Sequence, residues 1–510
     1  MKYLMPSLRG LIASALLTVA SATAFASSTL IRDVLVIDGT GAQPYPGALR
    51  LEDGRIVEVG RALAARDGEQ VREGKGQVLA PGFIDTHSHH DRALARTPTA
   101  EPLLSQGVTT IVVGQDGGSV FPLDTLWKRL RSKPVAVNVA SYSGHNTLRE
   151  SVLGENYKRH STPQEIVRMG KLLEADMRAG AIGLSSGLGY DPGIYSDATE
   201  LVALGKVVAP YGGRYISHIR SESMELWSSI DELLRVGREA RIPVQLSHAK
   251  LALVSLWGHA PELLKRLDAA RAEGIDATLD VYPYEYWQST MQVVLPQRNF
   301  EDVQAARFAL TNSIKPEGVL FGRFDADPSI VGKTLAQVAS ERKADPAELY
   351  LALIRQSIAA NAEESIIGTS MRDDDIATLM RWPHANICSD GELYGAHPRG
   401  AGSFTRVLRK YVREDHALSL QSAISKMSGQ AADHMGFKDR GYLKAGMVAD
   451  LVLFDPATVN DHATTKMPHA LSTGIAAVWV NGELAWESGK ATGKLPGKPI
   501  LRTSLAKGDH

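Results

Sequence analysis

The sequence predicts an α/β fold, a (β/α)8 TIM-like barrel with a small β-sandwich domain assembled from both terminal segments. Three observations predict it. Strand-like segments with tight turns occupy the two ends of the chain. Between them, apolar strand-like runs alternate with helical stretches, the mark of βα units on a parallel sheet. Several of those runs end on His or Asp, and a parallel barrel gathers such ends on one face. With 510 residues, the chain has room for one large barrel and its appendages. Its hydrophobic content of 44% is that of a globular protein. Basic and acidic residues number 56 and 57, without a basic stripe, which argues against a nucleic-acid partner.

The first 26 residues hold Lys2 and Arg9, no acid, an apolar run from Leu11 to Ala20 and the small-residue sequence Ala24-Phe25-Ala26. This is the pattern of a secretory signal peptide. The run is shorter than the ~20 apolar residues of a spanning helix, and Ser14, Thr18 and Ser21 interrupt it. Cleavage after Ala26 removes two positive charges and takes the net charge from −1 to −3. The expected location is periplasmic or secreted, with no membrane attachment after cleavage. A single cysteine, Cys388, rules out an internal disulfide.

Residues 27–79 are expected to form the first part of the β domain. Leu30 to Ile37 alternates as a strand does, and Leu49 to Leu51 and Ile56 to Val59 are joined through Asp53-Gly54, a hairpin signal because both turn residues accept positive φ. Residues 441–510 supply the other part, with strands at Asp450 to Phe454, Ala477 to Val480 and, across Asn481-Gly482, Glu483 to Trp486. The barrel is expected over 80–440. Candidate strands end near His87, Gly114, Ala140, Ser185, His218, His248, Tyr282, Ser370 and Asp390. One is surplus to a barrel and is assigned to an excursion at about 291–363. Asp197 with Glu200 reads as a capping-box start, Gly212-Gly213 as a stop, and Leu226, Ile230, Leu233 and Leu234 as a helical stripe packed on the barrel.

The chemistry concentrates in Pro81-Gly-Phe-Ile-Asp-Thr-His-Ser-His-His-Asp91. Residues two apart on a strand point the same way, so His87 and His89 can offer imidazoles to one ion. Alone, such histidines are commonplace. Here His218, His248 and Asp390 each end a separate candidate strand, so four histidines and an aspartate should converge. Nitrogen and oxygen donors of this kind suit Zn²⁺ first and Mn²⁺, Co²⁺ or Fe²⁺ next. Asp390 could also exchange a proton with a water held at such an ion.

These motifs resemble those of the amidohydrolase superfamily, and within it the N-acyl-D-amino-acid deacylases, or D-aminoacylases. The resemblance runs from about residue 30 to the C-terminus. It is carried also by Gln106-Gly-Val-Thr-Thr-Ile-Val-Val-Gly114, Gly183-Leu-Ser-Ser-Gly-Leu-Gly-Tyr190, Ser247-His-Ala-Lys250, Asp280-Val-Tyr-Pro-Tyr284, Ser389-Asp-Gly391, His397-Pro-Arg399 and Asp439-Arg-Gly441. It implies an insertion near the barrel mouth and one or two zinc ions. One ion would be held tightly by His218, His248 and a residue after the second strand. That residue is usually Cys in the family, and here the position reads Gln115-Asp116-Gly117, so Asp116 would coordinate through oxygen. His87, His89 and Asp390 would form or border a second site. Tyr190, Lys250, Tyr282 and Arg399 fall where the family holds the substrate carboxylate. The small residues usual after Tyr284 are replaced by Glu285, Tyr286, Trp287 and Gln288.

The resemblance thus implies a metal-dependent amide hydrolase that frees a D-amino acid from a small-molecule N-acyl substrate. Two alternatives stand beside it. One is a related hydrolase of cyclic amides or dipeptides, and the other a periplasmic binding protein that keeps the barrel without catalysis.

Overall fold

The computed structural model describes residues 28–502, and the leader expected at 1–26 lies outside the described residues. Among these residues the barrel strands are, in chain order, Phe83–Asp85, Val108–Val113, Asn138–Ser141 running on into Ser143–Gly144, Gly183–Gly187, Arg214–His218, Val244–Leu246, Ala277–Val281 and Ala385–Ile387. Each pairs in parallel with the next. The circle closes where Asp390 N–H donates to the His87 carbonyl at 2.8 Å and His89 N–H donates to that of Gly391 at 2.9 Å. Val108–Val113 is buried at every position, as a strand covered on both faces must be. Inside the barrel, Ile84, Val112, Ala140, Ile182 and Ile216 pack together with Met435 from the helix Gly429–Met435.

The helix Leu226–Ala240 buries the expected Leu226, Ile230, Leu233 and Leu234. Gly237 on the same face lets it approach the sixth strand, since a Cβ there would lie 2.8 Å from Val244 Cγ1. The start at Asp197 differs from the expectation. Asp197 does cap the helix Ala198–Val208 by accepting from Glu200 N–H at 3.0 Å. The Glu200 carboxylate, however, turns inward to His145 and Arg149 instead of back to the cap, because a buried guanidinium is a stronger partner than an exposed amide.

The run ending near Ser370 is the surplus strand. Glu364–Thr369 pairs antiparallel with Tyr286–Ser289 on one side and Val319–Phe324 on the other. These strands and the helices Val303–Asn312, Leu335–Arg342 and Pro346–Ala359 enclose a core of their own that includes Phe321, Phe324, Tyr350 and Ile366. Strands Tyr286–Ser289 and Glu364–Thr369 therefore bracket 291–363 as the root of one inserted unit.

Strands from both chain ends join one nine-stranded sheet, in which Val78–Pro81 pairs with Thr29–Val36 from the N-terminal segment and Leu451–Phe454 from the C-terminal one. Alternation along the strands divides its two faces. Ile31, Leu49, Leu79, Leu451 and Trp479 share one apolar cluster, while Val78, Ala80, Val452 and Val478 pack toward the barrel.

Candidate metal and active site

The C-terminal ends of the barrel strands bring together His87 and His89 after the first strand, Asp116 after the second, His218 at the end of the fifth, His248 after the sixth and Asp390 after the eighth. Their donor atoms fall into two sets that share Asp116. One is His87, His89, Asp116 and Asp390, and the other Asp116, His218 and His248. Asp116 Oδ1 lies 3.4 Å from His87 Nε2 and 3.3 Å from His248 Nε2, and its Oδ2 lies 3.3 Å from His89 Nε2. Asp390 Oδ1 is 3.5 Å from His87 Nε2 and 3.3 Å from His89 Nε2. His218 Nδ1 faces His248 Nε2 at 3.0 Å.

Local backbone geometry holds these groups. Asp116, His248 and Asp390 have φ of 52°, 34° and 50°, a left-handed conformation uncommon outside glycine and concentrated at functional positions. The Asp116 turn lies against Gly187, where a Cβ would meet the Asp116 carbonyl oxygen at 2.1 Å. Gly189 likewise leaves room for the His218 ring, whose Nε2 would lie 2.8 Å from a Cβ at that position. Asp85 accepts from Ser389 N–H at 2.8 Å and from its hydroxyl at 2.5 Å, which ties the first strand to the residue preceding Asp390.

The donors suit a cation. Both ring nitrogens of the fully buried His87 lack a hydrogen-bond partner, a costly arrangement for polar atoms without a ligand. Burial lowers His218 to about 4, so it is neutral near pH 7 with a lone pair to give. Burial opposes ionisation of Asp116, yet the nearby His87 and His248 hold its carboxyl well below the usual range. Burial and Lys250 both work against a charge on His248, but Asp116, Asp390 and Glu222 outweigh them and raise it to about 10. The carboxylates of Asp116, Asp390 and Glu222 thus favour positive charge at the centre of the pocket.

The residues expected to hold substrate line the same mouth. The Tyr190 ring packs 4.4 Å from that of His218. Tyr282 is buried with a hydroxyl that has no partner, beneath the Arg399 guanidinium at 5.0 Å and the Lys250 ammonium at 5.8 Å. Arg399 Nη1 lies 2.5 Å from Asp390 Oδ2, a charge contact without the angle of a hydrogen bond. Despite its burial, the Asp390 carboxyl is held far below its ordinary value by Arg399 and His248.

Sequence reasoning gave no role to Glu222, Asp280 or His397. Glu222 accepts from Lys250 Nζ at 2.6 Å and lies 3.1 Å from His248 Nδ1. Asp280 accepts the His248 N–H at 2.5 Å and a Gln245 side-chain N–H at 2.6 Å, and it stands 3.8 Å from His87 Nδ1. Glu222 thus braces the His248 ring, while Asp280 fixes the His248 backbone. His397 accepts the Arg399 N–H at Nδ1, 3.0 Å, and donates from Nε2 to the Tyr286 carbonyl at 2.8 Å, which fixes its neutral tautomer and links the Arg399 loop to the insertion. The lone Cys388 is buried beside Asp280, and burial pushes its thiol well above the ordinary value.

A profile of the amidohydrolase family matches residues 70–310 and 317–485. The chain is 33% identical over 494 residues to the D-aminoacylase of Alcaligenes xylosoxydans xylosoxydans, covering 92% of this chain and 96% of that one. It is 34% identical over 500 residues to the N-acyl-D-aspartate deacylase of the same organism, covering 92% and 94%. The crystal structure of N-acyl-D-glutamate deacylase from Bordetella bronchiseptica, complexed with zinc and a phosphonate mimic of the tetrahedral intermediate, matches with a TM-score of 0.83 at 31% identity. That match covers 93% of this chain and 99% of the other.

Proposed function

The chain belongs to the amidohydrolase family, and from that membership and the geometry of its barrel mouth we propose that it is a metal-dependent hydrolase that removes the acyl group from N-acyl-D-amino acids. One observation carries the reading. Five nitrogen and oxygen donors from four strand ends, His87, His89, His218, His248 and Asp390, surround one shared carboxylate, Asp116, with Arg399 and Lys250 beside them. Two of the relatives named above are by name deacylases of an N-acyl-D-amino acid, and the third is a D-aminoacylase.

The residues that would hold an ion are His87, His89, Asp116, His218, His248 and Asp390, and the zinc of the Bordetella enzyme supports zinc here. A divalent ion in such a site makes water nucleophilic at neutral pH and polarises the amide carbonyl. Asp390 then has the proton work. Its carboxylate is kept ionised and adjacent to His87 and His89, so it can take a proton from the attacking water and return it to the amide nitrogen as the C–N bond breaks. Arg399 and Lys250 supply positive charge for the substrate carboxylate, with the free Tyr282 hydroxyl between them as a donor. Asp116 would bind through oxygen at the centre of both donor sets.

Residues 1–26 support export, hence a periplasmic or secreted enzyme acting on a small molecule. The apolar cluster shared by strands of both chain ends supports a sandwich for the terminal sheet. The test is a substrate panel on the zinc-loaded protein, comparing N-acetyl-D-amino acids with their L-enantiomers, hydantoins and dipeptides. Hydrolysis confined to the D-derivatives is expected. Turnover of hydantoins or dipeptides with none of the D-derivatives would overturn the reading.

A further inference from the structure

A partly open cavity of about 80 Å³ leads from His218, His248, Asp390 and Arg399 to a wall supplied by the insertion. The wall is apolar, with Trp287, Val293, Val294 and Ile314. Trp287 is held rigidly. Its indole N–H donates to Ser370 Oγ at 2.7 Å, and the ring packs against Gly368, its cross-strand partner. A Cβ on Gly368 would stand 2.5 Å from both Trp287 Cζ2 and Ile314 Cδ1. The strand that carries Trp287 also sets the Arg399 loop. Tyr286 O accepts from His397 Nε2, and Gln288 Oε1 accepts the His397 N–H at 2.9 Å. Wall and carboxylate anchor are therefore one unit.

The cations lining the cavity are Arg220, Lys250 and Arg399. Arg220 is spent on Glu232, at 3.0 Å and 2.9 Å, and on the carbonyls of Ile194 and Ser196. Lys250 is paired with Glu222, which itself lines the cavity. Arg399 faces Asp390 and is the anchor assigned above to the α-carboxylate. None of these cations is left for a second carboxylate, which would also face Glu222 in the same cavity and stand unpaired against the apolar wall.

We propose that this cavity receives the amino-acid side chain and selects N-acyl-D-amino acids with uncharged apolar side chains, such as those of D-leucine and D-methionine, over the D-aspartate and D-glutamate derivatives, with Trp287 setting the preference. The side chain branches from the carbon that bears the carboxylate, so a substrate anchored at Arg399 and Lys250 directs it to the Trp287 wall. The acyl group is left for the wider opening beside His89, Asp116 and Asn146. The inference rests on the deacylase reading.

The experiment measures kcat/KM of the full zinc-loaded chain on N-acetyl derivatives of D-leucine, D-methionine, D-alanine, D-aspartate and D-glutamate, and on N-octanoyl-D-leucine. The apolar derivatives are expected to exceed the acidic ones at least 100-fold. In Trp287→Ala the leucine-to-alanine ratio should fall at least tenfold, and in Trp287→Phe it should stay within about threefold of the parent. Equal or better turnover of the acidic derivatives overturns the inference and leaves the deacylase reading standing, as does a preference that follows acyl length and ignores the side chain. Absence of hydrolysis across the whole panel overturns both. The parent protein alone decides the main comparison, so the test survives a Trp287 variant that does not fold.

Discussion

Replacing Arg399 with lysine separates a carboxylate anchor from a merely structural cation. The guanidinium is buried, one of its nitrogens stands 2.5 Å from Asp390 Oδ2, and its plane covers the Tyr282 ring. A fork of donors can face Asp390 with one arm and a substrate carboxylate with another, whereas a single ammonium serves only one of the two. Arg399→Lys thus keeps the charge and removes one charge-assisted hydrogen bond, worth about 1.5–3 kcal/mol. At 1.36 kcal/mol per decade, kcat/KM on an N-acetyl-D-amino acid should fall roughly 10- to 150-fold. Zinc content, measured by elemental analysis, should not change. The control is an N-acetyl amine without the carboxylate, which should be a poor substrate for the parent and lose little more in the variant. Equal impairment on both compounds would refute the carboxylate role and leave Arg399 as support for Asp390.

Asp390→Asn cannot accept a proton and should lower kcat by roughly 10² to 10⁴ with substrate binding retained. Near-normal kcat would remove Asp390 as proton carrier, while loss of zinc from the variant would assign it mainly as a ligand. Glu200→Gln should destabilise the fold by about 3–5 kcal/mol in chemical unfolding at neutral pH, because Arg149 is left buried without its charge partner at 2.5 Å. This contribution has a definite pH sign. Burial raises the Glu200 carboxyl, but His145 and Arg149 hold it at about 2 against an ordinary 4.5. The stabilisation is therefore complete above about 4.5 and is lost as the pH falls toward 2. The gap between parent and variant should close over that window, and a pH-independent gap would contradict the pairing.

The barrel and its donors were legible because their signals are local. A strand-end histidine or aspartate is visible in sequence, and parallel topology brings such ends together, as with His87, His218, His248 and Asp390. Asp116 was visible only through the family resemblance, as the residue after Val108–Val113 where the family usually has Cys. The ninth strand was harder, since Glu364–Thr369 is a short apolar run and periodicity does not distinguish a barrel strand from an antiparallel strand of an insertion. Glu222 carried no pattern, because it lies in the loop after Arg214–His218, where position is set by tertiary contacts alone. Asp280 stood within a recognised motif, but its work behind His87 and His248 is done by side-chain direction across strands. Trp287 stood out by its bulk, and its purpose emerged only from its seat on Gly368.

Metal dependence is the central claim, and one measurement reaches it directly: zinc content and N-acetyl-D-leucine hydrolysis, followed together through chelation and reconstitution. The arrangement of His87, His89, Asp116, His218, His248 and Asp390 predicts that activity and zinc are lost in parallel and that added Zn²⁺ restores both. Full activity in demonstrably metal-free protein would contradict it.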